Sequence, residues 1–209
     1  VNHYLAKKMD LEGCKILAPK KGLLRKLVTF CPVEHAEKVR KALFEAGAGH
    51  IGNYDSCSYN IHGKGSFRAG DDTDPYVGEK GKIHFEEEIR IETIYPVYKE
   101  HDVLASMKSA HPYEEVAYDL YPLENDFDQT GAGMYGYLKT GMKDMDFMGF
   151  LKQKLDLKVI RHSKLLGKSI KKVAFCGGSG SFLIKKAIAT SADVFITGDL
   201  KYHQFFDAE

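Results

Sequence analysis

Residues 82–96 constrain the fold of this chain more than any other stretch. Ile83, Phe85, Ile89, Ile91 and Tyr95 share one parity, and His84, Glu86, Glu88, Arg90 and Glu92 share the other. Successive side chains of a strand point to opposite faces, so this period marks a long strand with one apolar and one wetted face. Such a strand needs sheet neighbours and a covering layer on its apolar side. The flanking sequence offers both. Residues 26–31 are a β-rich run ended by Pro32. Residues 33–46 carry Ala36, Val39, Leu43 and Phe44 at helical spacing, with Glu34 at the start and Gly47 and Gly49 beyond the end, as helix termini favour. Residues 57–59 read as a short second strand, and residues 62–81 as a Gly-rich polar loop. Val103, Leu104 and Met107 mark a second helix, and residues 116–123 a closing strand. The order β-α-β-β-α-β is the split arrangement of a ferredoxin-like unit.

The segments on either side follow another pattern. Residues 1–11 read as a helix, residues 15–17 as a short apolar piece, and residues 19–22 as a turn, which sets a boundary. Residues 124–130 are polar and acidic and read as a linker. Beyond them, residues 144–155 have Phe147, Phe150, Leu151 and Leu155 at helical spacing. Residues 158–161 read as a short strand, and residues 172–176 as a buried one. A glycine turn, a helix over 182–191, a strand over 193–197 and the start of a new helix follow. Strand, turn, helix and strand in this order imply a parallel pair joined by a crossover. The fold class expected is therefore mixed: a ferredoxin-like α+β unit over residues 23–124, flanked by residues 1–22 and by a parallel-sheet α/β unit over residues 125–209.

Composition excludes several roles. The 30 basic residues nearly balance the 29 acidic ones, for a net charge of +1, so no global field favours nucleic acid or an anionic membrane. No apolar run reaches the length of a bilayer span, and the first ten residues lack the apolar core of a signal peptide. Cys14, Cys31, Cys57 and Cys176 match no zinc spacing and read as buried thiols of a reducing, cytoplasmic protein. The chain opens inside an apparent helix and stops without a helix stop signal, so it reads as an internal fragment.

Four motifs carry candidate chemistry. Gly177-Gly178-Ser179-Gly180 follows a strand and opens a helix, where backbone N–H groups can hold an anion; a tight turn that needs glycine for sterics is the simpler reading, since no Walker lysine follows. Gly131-Ala132-Gly133-Met134-Tyr135-Gly136 matches G-x-G-x-x-G but follows a linker, which argues against a nucleotide loop. Asp199 and His203, four apart at the end of the next strand, suit metal binding or proton transfer, or a helix cap with a packed histidine. His111, Glu114 and Glu115 gather titratable groups on one loop, as His50 and Tyr54 do on another. Both sets suit a small ligand or a metal, and both suit loop capping.

Taken together, residues 47–54 (GAGHIGNY), 75–78 (PYVG), 111–119 (HPYEEVAYD), 173–180 (VAFCGGSG) and 197–203 (TGDLKYH) resemble the Nif-three-like family, whose members are often called GTP cyclohydrolase I type 2 homologues. The resemblance implies a central insert similar to the PII and CutA proteins. It also implies that an intact parent holds two divalent metal ions of the zinc, iron or manganese class and acts as a metal-dependent hydrolase. The metal ligands it implies lie outside both ends of these 209 residues, with residues 199–203 on the rim and no metal held by this chain alone. It implies self-association as a trimer or a ring-shaped hexamer. A second reading makes the insert a module that senses a small molecule or nucleotide and drives assembly without chemistry. Neither reading involves nucleic acid polymers or membrane.

Overall fold

The computed structural model describes residues 1–201 and 204. The chain divides into two compact units, residues 21–126 and a second unit made of residues 1–20 and 127–209.

Along the chain the elements are α1 (Asn2–Lys8), β1 (Glu12–Lys20), β2 (Leu24–Pro32), α2 (Ala36–Glu45), β3 (Tyr59–Arg68), β4 (Ile83–Pro96), α3 (Glu100–Ala110) and β5 (Tyr118–Leu123). Then come β6 (Phe127–Lys143), α4 (Asp144–Leu155), β7 (Ser169–Ser179), α5 (Ile184–Ala189) and β8 (Val194–Asp199).

The central unit has the sheet order β3-β4-β2-β5, all neighbours antiparallel. Renumbered within the unit this is 2-3-1-4, the ordering of the split β-α-β arrangement that the sequence implied. Both helices cover one face. Val39 and Leu43 of α2 and Val103 and Met107 of α3 pack on Leu27, Ile89 and Ile91 of the sheet, all fully or almost fully buried. The long alternating strand behaves as its pattern requires from Ile89 onward. Nearer its start, Ile83 and Phe85 remain 67% and 60% exposed, because β3 and β4 project beyond the helices as a two-stranded arm. The second strand differs from expectation: β3 starts at Tyr59 but runs on through residues 62–68 of the stretch that reads as a Gly-rich loop. Its edge position explains how a sequence without alternation holds a strand, since β4 pairs with it residue for residue.

The flanking unit has the order β1-β6-β7-β8, with β7 and β8 parallel and the other pairs antiparallel. Helices α1 and α4 cover one face through Ala6, Met9, Phe147 and Leu151 against Val173 and Phe175. Helix α5 covers the other, where Leu183 and Ala187 meet Leu17 and Ala174. The parallel pair is the one expected from the strand–turn–helix–strand order. The 17-residue β6 was not expected, because it occupies the supposed linker and the G-x-G-x-x-G match. Residues 158–161, expected as a strand, have no regular structure. Val159 is 77% exposed there, and no neighbour completes a ladder.

Candidate functional site

In the flanking unit the carboxyl ends of β7 and β8 come together. Cys176 pairs with Thr197 and Ser179 with Asp199. The hydroxyl of Thr197 donates to Gly178 O at 2.9 Å and accepts from Gly180 N–H at 2.8 Å, which ties the glycine turn to β8. Gly177 N–H donates to Asn2 Oδ1 at 2.9 Å. Two amides of the turn are thus satisfied internally. The glycines answer a steric need: Gly178 has φ +98°, and a Cβ on Gly180 would lie 2.6 Å from Cys176 Cβ. The Asp199 side chain is exposed on this rim. His203 lies outside the described residues.

The two metal ions implied by the family resemblance need several converging donors. Among the described residues no group of three or more His, Cys, Asp and Glu side chains converges, so these residues do not fit a two-metal centre.

The glycines of the G-x-G-x-x-G match serve strand packing. A Cβ on Gly131 would stand 2.1 Å from Ala18 O, and one on Gly136 would stand 2.6 Å from Cys14 Sγ. They let β6 lie close against β1.

In the central unit His50 and Tyr54 flank a tight turn closed by the Ile51–Tyr54 bridge. His50 borders a shallow depression with Glu37, Arg40 and Asp55, and Tyr54 is 76% exposed. His111 is buried, and its ring is fully engaged. Nδ1 accepts from Tyr113 N–H at 3.1 Å, which places the proton on Nε2, donating to Phe30 O at 2.9 Å. Burial holds its pKa below the usual histidine range, so the ring is neutral and straps the 111–117 loop to β2. Both ring nitrogens are thus used within the central unit.

That strap positions one wall of a cavity of about 600 Å³ on the sheet face away from the helices. Its floor comes from β2, β3 and β4, with Phe30, Ile61, Phe67, Glu88 and Arg90. Tyr76, Tyr113, Glu114 and Glu115 line the sides. Tyr113 OH donates to Glu88 Oε1 at 3.0 Å, and burial together with that carboxylate raises its pKa. Tyr76 OH donates to Glu34 Oε1 at 3.1 Å and accepts from His35 Nε2 at 3.0 Å. Glu114 Oε1 accepts from Asp74 N–H at 3.0 Å. The rings of Tyr76 and Phe67 each stand 6.2 Å from that of Tyr113. Arg90 Nη2 meets Glu92 Oε1 at 2.9 Å and its guanidinium lies over the Phe30 ring, while its Nε is buried without a hydrogen-bond partner. The loop carboxylates were picked out by sequence; Phe30, Phe67, Tyr76, Glu88, Arg90 and Tyr113 were not. The signal for Glu88 and Arg90 was the wetted parity of the alternating strand, which forms the cavity floor.

The family model described as Duf34/NIF3 (NGG1p interacting factor 3) matches residues 1–209. The chain belongs to that family. It is 42% identical over 209 residues to the GTP cyclohydrolase 1 type 2 homolog of Bacillus subtilis, covering all of this chain and 56% of that protein. It is 35% identical over 210 residues to the homolog of the same name in Mycobacterium tuberculosis, covering 97% of this chain and 55% of that one. A solved Bacillus cereus protein related to NIF3 superposes with a TM-score of 0.82 at 44% identity, covering 99% of this chain and 55% of that one. The chain thus spans about half the length of the curated relatives it matches. No helix among the described residues is long and apolar enough to cross a membrane.

Proposed function

We propose that these residues belong to a cytoplasmic, metal-dependent hydrolase of the GTP cyclohydrolase 1 type 2 kind, and that they supply the rim of its site while divalent metals are held by residues beyond this chain. The observation that carries the reading is the pairing of Ser179 with Asp199 at the carboxyl ends of two parallel strands, the edge where α/β sheets hold ligands. Asp199, and His203 beyond it, would orient ligands or water beside the metals. In the full-length protein Asp199→Asn and His203→Ala should lower metal affinity or turnover about 10–100-fold without unfolding it. If Asp199 is only a structural end-group, Asp199→Ala would instead lower the melting temperature, with metal affinity and turnover intact.

A second reading rests on the cavity of the central unit, whose volume falls in the range of small-molecule sites. In this reading the unit binds a small ligand and drives self-association into a trimer or hexamer, without chemistry of its own. Equilibrium dialysis of the 209-residue chain against a panel of small cations, nucleotides and phosphate tests it. Retention of no member of the panel would overturn it.

A further inference from the structure

The cavity of the central unit also carries the charge of its ligand. We propose that it binds a small organic cation, an amine or quaternary ammonium group, with Glu88 as the counter-charge and the rings of Phe30, Phe67, Tyr76 and Tyr113 as the walls. This rests on the second reading above and narrows it.

Glu88 decides the sign. Its side chain is half-buried, and Tyr113 OH occupies only Oε1. Among the described residues no donor reaches Oε2. A half-buried carboxylate oxygen without a donor is costly unless a cation or water meets it. Gly65 makes room for it: a Cβ there would stand 2.2 Å from Oε2. Nearby, Glu115 has no hydrogen-bond partner among the described residues, and Glu114 uses one oxygen. The cations of the lining are mostly engaged. Lys64 Nζ turns to Glu87 at 3.6 Å and to the Phe85 ring, and the Arg90 guanidinium is held by Glu92 and Phe30, with its buried Nε left without a hydrogen-bond partner. Arg68, exposed at the end of β3, is the one lining cation without a carboxylate partner among the described residues. Three lining carboxylates, Glu88, Glu114 and Glu115, thus keep at least one oxygen without a donor among the described residues, against one lining cation without a carboxylate partner.

The walls suit the same ligand. Aromatic faces attract a desolvated cation, and ring clusters with a carboxylate recognise ammonium groups. An anion would face the same rings edge-on at best and would meet Glu88 at close range. The Tyr113 and Tyr76 hydroxyls are both drawn toward carboxylates, so neither is turned to donate into the cavity.

The test compares isosteres on the 209-residue chain. Choline and cadaverine are titrated beside their neutral counterparts, 3,3-dimethylbutan-1-ol and pentan-1-ol, with amide NMR shifts of residues 63–67 and 113–117 as readout. At least one cation should bind tenfold or more tightly than its neutral isostere, with affinity falling as salt rises. Glu88→Gln should weaken that binding about tenfold. Gly65→Ala keeps the charge but displaces the carboxylate, and should weaken it comparably; its backbone suits alanine, so it guards against a Glu88→Gln variant that folds poorly. Equal binding of cation and alcohol, or cation binding untouched by both variants, overturns the proposal. Phosphate or ATP shifting the same amides in place of the cations also overturns it while leaving a ligand-binding cavity standing. No shifts from any probe would remove both.

Discussion

At the scale of single residues, His111 shows how burial converts a titratable group into a pH-dependent brace. Its folded pKa lies below the ordinary value of 6.5, with burial the largest cause and the neighbouring charge of His35 adding to it. The unfolded chain therefore takes up the proton first as pH falls. The stability due to the neutral ring is fully present above about pH 6.5 and is lost as pH drops through the lower folded value. Glu92 titrates separately: hydrogen bonding to Lys26 lowers its pKa below 4.5, so its contribution is lost only in more acid solution. Thermal melts should fall between pH 7.5 and 5.5 in the natural chain, and His111→Gln should flatten that fall while lowering the melt at pH 7.5. An equal slope in both would show that His111 does not titrate on unfolding. Cys31 illustrates the same burial effect on a thiol. It is inaccessible, and burial beside Glu88 pushes its pKa up to about 11, whereas Cys57 and Cys176 are partly exposed. Ellman's reagent at pH 8 should titrate the other three thiols first and reach Cys31 only on unfolding. The sequence implied buried thiols throughout, yet only Cys31 is fully so: Cys14 lies on the edge strand β1, Cys57 in a loop, and Cys176 near the carboxyl end of β7.

Among the elements, β6 is held by what flanks it. Its sequence, FDQTGAGMYGYLKTGMK, has no sustained alternation, and Asp128, Gln129 and Thr130 before its first glycine are polar or acidic, so it reads as linker and loop. The ladder partners β1 and β7 on either side make it a strand, and its glycines let the chains close up. Gly131→Ala should therefore be costly. The added methyl would meet the backbone oxygen of Ala18, which cannot swing away as a side chain can. Overpacking of this kind costs about 1–3 kcal/mol, and urea melts should show it, whereas Gly149→Ala, whose Cβ meets nothing within 4 Å in α4, should leave stability equal or raised. Residues 158–161 show the reverse error. Their local β-propensity is real, but no partner strand satisfies their backbone, so propensity alone does not make a strand. What was legible in the sequence is what local periodicity encodes: β4, α2, α3, α4 and the crossover between β7 and β8. The aromatic walls of the cavity were illegible because Phe30, Phe67, Tyr76 and Tyr113 come from four separate segments that only the sheet order brings together.

For the whole molecule, two expectations concern what the chain can do by itself. No metal-ligating group of three or more side chains converges among the described residues, so elemental analysis of the dialysed chain should find less than one tightly held transition-metal ion per molecule. Two retained ions would show that these residues build a centre by themselves. The second expectation concerns assembly. The arm formed by β3 and β4 leaves Ile83 and Phe85 exposed on one face, with Lys64 over the Phe85 ring and the unpaired edge of β3 beside them. A long edge strand with exposed apolar neighbours invites pairing with another copy unless charges blunt it. Only Lys64 and Arg68 stand on β3 with a positive charge, too few to blunt ten residues. Light scattering should therefore give a mass above 23.5 kDa at high concentration, three times that value for the trimer that the family resemblance implies. Replacing Phe85 by Glu would add a charge where the arm meets its neighbour and should return the particle to the monomer mass. The melting temperature of the separated chains should stay close to that of the parent at low concentration, since Phe85 contributes little to its own core. A natural chain that remains at 23.5 kDa at high concentration would exclude assembly through this arm.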